Sequence, residues 1–243
     1  ILLYQSEDAI HWEFVSKLDS CNNQYGKMWE CPDFFPLDDK HVLLVSPQDM
    51  TAMGLEFHAG NANMCILGEY DLASHRLLRE CIQAIDYGLD FYAPQTLKTF
   101  DGRRVMIGWM QNWETSGHTF PGKRFMGQMT IPRELTIRNG RLCQVPVREL
   151  ESCRNNKVTY QNVQVAGETS LQGIRGRFLD LTVTVRPQVE APTYRWFQID
   201  VAGDEHHFTS IRFTPTDNLI RIDRSQSGLS WDCLLYTSDA ADE

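Results

Sequence analysis

The stretch "RRVMIGWM" (residues 103–110) decides the fold class. Val105, Ile107 and Trp109 recur at every second position, directly after an Asp101-Gly102 pair. Side chains along a strand alternate between faces, and Asp-Gly suits the positive φ of a tight turn. The stretch therefore reads as a strand leaving a hairpin turn, with those three residues on one face. The same texture extends in both directions. "ILLYQSEDAIHWEF" (1–14) reads as a strand followed by a turn, and "HVLLVS" (41–46) is a short apolar run that suits a buried strand. Downstream, "DLTVTVRP" (180–187), "RWFQIDV" (195–201), "HFTSIRFT" (207–214) and "NLIRIDRS" (218–225) continue the series about every dozen residues. Short strands punctuated by Gly, Pro, Asn and Asp predict an all-β chain: a sandwich, a barrel or a propeller.

One segment breaks the pattern. "PVRELESCRNN" (146–156) reads as a short charged helix, with Pro146 at its start. Before it the strands are rich in Trp, Met and Phe; after it they are regular Val/Thr alternations. It is read as a linker between two all-β units. The tail "CLLYTSDAADE" (233–243) has no obvious core face and is of doubtful origin.

Composition narrows the function. The 243 residues carry a formal charge of −9, which argues against nucleic acid as a partner. No apolar run approaches the ~20 residues that a membrane-spanning helix needs. Seven cysteines at 21, 31, 65, 81, 143, 153 and 233 are odd in number and form no C-x-x-C pair, which fits reduced thiols in a cytoplasmic protein. The chain opens on Ile1 without an initiator Met, so its natural start is expected upstream and the lack of a leader is uninformative.

Several chemistries fail for want of their residues. There is no H-E-x-x-H and no Cys/His cluster at ligand spacing, so no metal is expected; there is no G-x-S-x-G elbow and no glycine-rich phosphate loop, and no cofactor is implied. What remains is a set of carboxylates and aromatic rings in unusual company. In "KMWECPDFFPLD" (27–38), Glu30 sits between Trp29 and Cys31. "DYGLDFYAPQT" (86–96) places Asp86, Tyr87, Asp90 and Tyr92 before a Pro94 turn, and "GWMQNWE" (108–114) supplies Trp109 and Trp113. Apolar sugar faces stack on rings, hydroxyls take hydrogen bonds, and carboxyl groups perform acid/base work, so the set suits a small saccharide ligand. Each member also has a structural reading. Glu30 could be a carboxylate satisfied by backbone donors, Trp109 reads better as core than as ligand, and Asp86 and Asp90 could cap turns. Lys123 and Arg124 in "FPGKRF" could meet a phosphate but read better as a solvated basic turn.

Taken in order, these stretches resemble glycoside hydrolase family 32, the group of invertases, inulinases and sucrose-6-phosphate hydrolases. "WECPDFF" (29–35) is similar to the family's Glu-Cys acid/base motif. "DYGLDFYAPQT" with "IGWMQNWE" (107–114), "MTIPRELTIRNGRLCQVPVREL" (129–150) and "IRIDRSQSG" (220–228) resemble further family segments. The resemblance implies a partial five-bladed β-propeller over 1–147, a linker over 148–157 and the start of a β-sandwich over 158–232. It implies a retaining glycosidase acting on terminal β-fructofuranosyl linkages, with Glu30 as acid/base. Cys31, Asp90, Tyr92 and Trp113 are the substrate-binding candidates, and Trp29 with a Cys31-Pro32 turn would desolvate and aim Glu30. The family's Asn-Asp-Pro-Asn nucleophile motif and its Arg-Asp-Pro motif do not occur here. The chain alone is thus expected to be inactive and, as an open propeller, poorly stable. A non-catalytic sugar-binding propeller and a fructosyltransferase remain as alternatives.

Overall fold

The computed structural model describes residues 1–116, 127–176, 178–187, 194–204 and 206–228, together with the backbone of 235–239. It divides after Val147 into two compact units.

The first unit begins with a hairpin of β1 (Leu2–Gln5) and β2 (Glu13–Lys17). Two four-stranded antiparallel sheets follow. One holds β3 (Met28–Leu37), β4 (Lys40–Gln48), β5 (Met64–Asp71) and β6 (Arg76–Ala84) in sequence order. The other holds β7 (Tyr92–Lys98), β8 (Arg104–Trp109), β9 (Arg133–Arg138) and β10 (Arg141–Pro146), also in sequence order, with a short helix α1 (Trp113–Ser116) after β8. Each sheet is a meander in which every strand pairs with its chain neighbour; the β3–β4, β5–β6, β7–β8 and β9–β10 connections are short, whereas long loops join β4 to β5 and β8 to β9.

The apolar run in β4 explains how the sheets stack. Val42, Leu43, Leu44 and Val45 are all fully buried, yet they alternate between two cores. Leu43 and Val45 join Leu18, Met50, Phe57, Met64 and Ile66. Val42 and Leu44 join Phe35, Cys65, Leu67, Phe91, Met106 and Leu135. A strand covered on both faces needs no polar alternation, which is why "HVLLVS" is uninterrupted. Burying each such side chain contributes about 1.5–3 kcal/mol.

Strand β8 shows the phase that hydropathy concealed. The expected inward face of Val105, Ile107 and Trp109 is only half buried, whereas Met106 and Gly108 on the opposite face are buried. Gly108 has no side chain because the Phe91 ring occupies its place: a Cβ there would lie 2.7 Å from Phe91 Cε2. A glycine on the core face removes the apolar signal that would have marked it.

In the second unit, β11 (Phe197–Val201), β12 (Thr209–Thr214) and β13 (Leu219–Asp223) form a sheet in sequence order. Two expectations need correction here. "DLTVTVRP" forms no strand, and Leu181, Val183 and Val185 are exposed. Alternation supplies a strand preference, but a strand also needs a ladder partner, and among the described residues this segment has none. The expected helix is a 3₁₀ helix over Arg148–Cys153 with no buried residue. Pro146 ends β10 opposite Arg133 instead of starting the helix.

Candidate active site at two matched bulges

Glu30 and Tyr92 lie on β3 and β7, the first strands of the two four-stranded sheets of the first unit. Both strands bulge at the same sequence pattern. In β3, Glu30 pairs with Ser46 and Asp33 with Leu44, so Cys31 and Pro32 together oppose one residue. In β7, Tyr92 pairs with Trp109 and Gln95 with Ile107, so Ala93 and Pro94 do the same. The residue before each proline is left-handed, at φ +49° for Cys31 and for Ala93. The turns expected at Cys31-Pro32 and Pro94 are therefore bulges within strands, which proline permits because the extra residues leave the ladder. A non-glycine residue in that conformation costs about 1–3 kcal/mol, and such strain concentrates at functional sites.

The bulges aim the two side chains at each other. Tyr92 Oη donates to Glu30 Oε2 at 2.9 Å, and Gln48 Nε2 donates to the same oxygen at 2.7 Å. Oε1 accepts from no donor among the described residues. Gln48 is in turn held by its own backbone: Gly26, at φ +75°, packs so closely that a Cβ would lie 2.5 Å from the Gln48 carbonyl oxygen. Burial, then the hydrogen bond to Glu30 and its negative charge, push the Tyr92 phenol well above its ordinary range. Burial and the Glu30 charge also raise the Cys31 thiol. Both neighbours thus remain protonated near neutral pH, and Tyr92 remains a donor.

Trp29 does not join this group. Neighbouring residues on a strand face opposite ways; the Trp29 indole NH donates to the Tyr25 carbonyl at 2.7 Å, and its ring lies 5.5 Å from the Arg79 guanidinium carbon. Glu30 is enclosed instead by Tyr92 and Gln48.

Asp90 sits half buried in the loop leading into β7. Side chains rather than a ladder hold that loop. Asn63, 1% exposed, accepts from the Ile85 and Asp86 amides and donates to the Asp86 carbonyl. Asn112, fully buried, donates to the carbonyls of Leu89 and Asn61, and Asp86 pairs with Arg133 at 2.8 Å. A loop whose backbone is satisfied by buried amides is preorganised without being part of a sheet. Trp113 is 56% exposed on α1 and meets the ring of Trp109 edge to face at 5.1 Å. It reaches the cluster through Trp109, the ladder partner of Tyr92.

Sequence reasoning missed Gln48, Asn63, Gln95, Thr96 and Asn112. The repeated spacing of Glu30-Cys31-Pro32-Asp33 and Tyr92-Ala93-Pro94-Gln95 was a usable signal, since proline inside a strand pattern marks a bulge or an edge. Lys123 and Arg124 lie outside the described residues. Among the described residues, no group of three or more His, Cys, Asp or Glu side chains could hold a metal ion, and no helix is long and apolar enough to cross a membrane. None of the six described cysteines is in a disulfide.

The class defined so far is an all-β chain in which two bulged strands bring a carboxylate beside aromatic rings. Comparison with known proteins makes this specific. Residues 1–146 match the glycosyl hydrolases family 32 N-terminal domain, and residues 149–241 match the glycosyl hydrolases family 32 C terminal domain. The chain belongs to glycosyl hydrolase family 32. It is 32% identical over 228 residues to a sucrose-6-phosphate hydrolase of Staphylococcus xylosus, covering 94% of this chain and 45% of that protein. It is 39% identical over 176 residues to a sucrose-6-phosphate hydrolase of Escherichia coli, covering 71% and 36%. The chain thus spans less than half the length of these relatives. In fold it is similar to a Bombyx mori family 32 β-fructofuranosidase solved in complex with sucrose, at TM-score 0.75 and 24% identity, covering 98% of this chain and 48% of that one. The fold is accordingly a partial five-bladed β-propeller followed by a partial β-sandwich.

Proposed function

We propose that the parent protein hydrolyses terminal β-fructofuranosyl linkages, in sucrose or sucrose 6-phosphate, by a retaining double displacement with Glu30 as acid/base. The observation that carries this reading is the Glu30 carboxylate itself: one oxygen is saturated by Tyr92 and Gln48, and the other is left for a ligand. The relatives, sucrose-6-phosphate hydrolases, support the substrate class.

In the first step a carboxylate nucleophile attacks the anomeric carbon of the fructosyl group. The bond from that carbon to the glycosidic oxygen breaks, its electron pair stays on the oxygen, and Glu30 delivers a proton there. In the second step Glu30 takes a proton from water as that water attacks the same carbon, and the nucleophile carboxylate departs. Two carboxyl groups about 5–5.5 Å apart serve this mechanism. The nucleophile belongs to the family's Asn-Asp-Pro-Asn motif, which does not occur in this sequence, and neither Asp33 nor Asp90 takes its place. On this reading the 243-residue chain alone is inactive.

Within the site, Tyr92 and Cys31 line the acid/base side, Asp90 offers a hydroxyl acceptor from its pinned loop, and Trp113 offers an exposed ring for a sugar face. Residues 1–147 are assigned to the catalytic propeller, 148–157 to the linker and 158–232 to the start of the sandwich. The six described cysteines outside disulfides support a cytoplasmic setting.

The test is Glu30→Gln in the full-length protein. Sucrose turnover should fall by about 10²–10⁴-fold, the usual worth of a positioned acid/base. Near-normal turnover overturns the assignment. Product analysis at high sucrose separates hydrolysis from fructosyl transfer.

A further inference from the structure

We propose that Asp33, acting through Thr96, is a positioning residue that sets the aim of Glu30. It does so by locking the bulge of β3 to the bulge of β7. The inference rests on the acid/base reading of Glu30.

Cys31 and Pro32 lie outside the ladder to β4, because the register passes from Glu30 directly to Asp33. The two residues that follow Glu30 are therefore not held by their own sheet, although Glu30 itself pairs with Ser46. Ties from β7 hold the bulge. Asp33 Oδ2 accepts from the Thr96 amide and from Thr96 Oγ1, each at 2.7 Å. Arg104 Nη1 lies 3.3 Å from the same Thr96 hydroxyl and donates to it, while its guanidinium stacks over the Phe35 ring at 4.3 Å. Gln95 Nε2 adds a second tie, to the Cys31 carbonyl at 3.0 Å.

The arrangement has a directional logic. Asp33 closes the β3 bulge on its far side, and Thr96 sits just beyond the β7 bulge that opens with Tyr92. One clamp thus fixes the separation between the residue that donates to Glu30 and the residue that bears it. Thr96 presents two donors to one carboxylate oxygen, which restrains angle as well as distance. Proton delivery depends steeply on such placement, whereas substrate packing elsewhere does not.

The test compares two substrates in the full-length enzyme. Sucrose needs a proton on its leaving oxygen; β-D-fructofuranosyl fluoride loses fluoride without one. Asp33→Ala and Thr96→Val should lower kcat/KM for sucrose by about 10–100-fold while leaving the fluoride within about 3-fold, because a 1 Å misplacement costs about that much. Thr96→Ser, which keeps both donors, should restore the sucrose rate. Equal losses on both substrates, or none on sucrose, overturn the proposal. Glu30→Ala run in parallel separates the failures: if it shows no split between the substrates, the acid/base reading falls and the clamp with it. If it shows the split and Asp33→Ala does not, the clamp alone falls.

Discussion

The hydroxyl of Tyr92 donates to Oε2 of Glu30 at 2.9 Å, across 62 residues of sequence and from one sheet to the next. The bond depends on two bulges of the same form. It makes the orientation of the carboxylate a property of two sheets rather than of the strand that carries it.

Removing that donor while keeping the ring isolates its worth. Tyr92→Phe should cost about 1.5–3 kcal/mol of stability, the range for hydrogen bonds to charged groups. Urea denaturation should show a lower midpoint with an unchanged m-value.

The left-handed conformation of Cys31 makes a second prediction. Glycine adopts φ +49° without steric cost, so Cys31→Gly should leave stability within about 1 kcal/mol of the parent, strain relief offsetting lost side-chain packing. A β-branched residue has the opposite effect, and Cys31→Val should destabilise by about 2 kcal/mol or more. Thermal denaturation of the two variants side by side checks the ordering.

The two-sided core predicts large truncation costs. Leu44 is fully buried in the cluster that also holds Phe35, Leu67 and Met106. Leu44→Ala should cost about 2–5 kcal/mol. The exposed Leu72 in the β5–β6 turn should cost less than about 0.5 kcal/mol when truncated, as surface sites generally do.

Alkaline pH should weaken the first unit. Burial raises the Cys65 thiol far above its ordinary range, and Tyr92 is raised as well. Above about pH 8.5 for a free cysteine and about pH 10 for a free tyrosine, the unfolded chain has lost protons that the folded chain still holds. Stability therefore falls as pH rises, by about 1.4 kcal/mol per pH unit for each group. Cys65→Ala should flatten the first part of that decline in a urea titration between pH 8 and 10.

Much of the fold was legible in local pattern. "HVLLVS" announced a buried strand because apolar continuity itself reports two covered faces, and the downstream alternations announced β12 and β13. The pattern misled where the decisive feature carried no hydropathy. Gly108 hid the core face of β8, and "DLTVTVRP" had the texture of a strand without a ladder partner among the described residues. The candidate site was legible in part. Glu30 stood out by its company, but Trp29, its apparent neighbour, turns to the opposite face and packs near Arg79.

The sequence by itself determined the all-β class, the order of the family-like segments and the choice of Glu30, because these depend on residue type and spacing along the chain. Only the tertiary structure decided what surrounds Glu30. Tyr92, Gln48 and the Asp33–Thr96 tie come from separate strands, and the bulges that bring them together depend on pairing between strands, which no local stretch encodes.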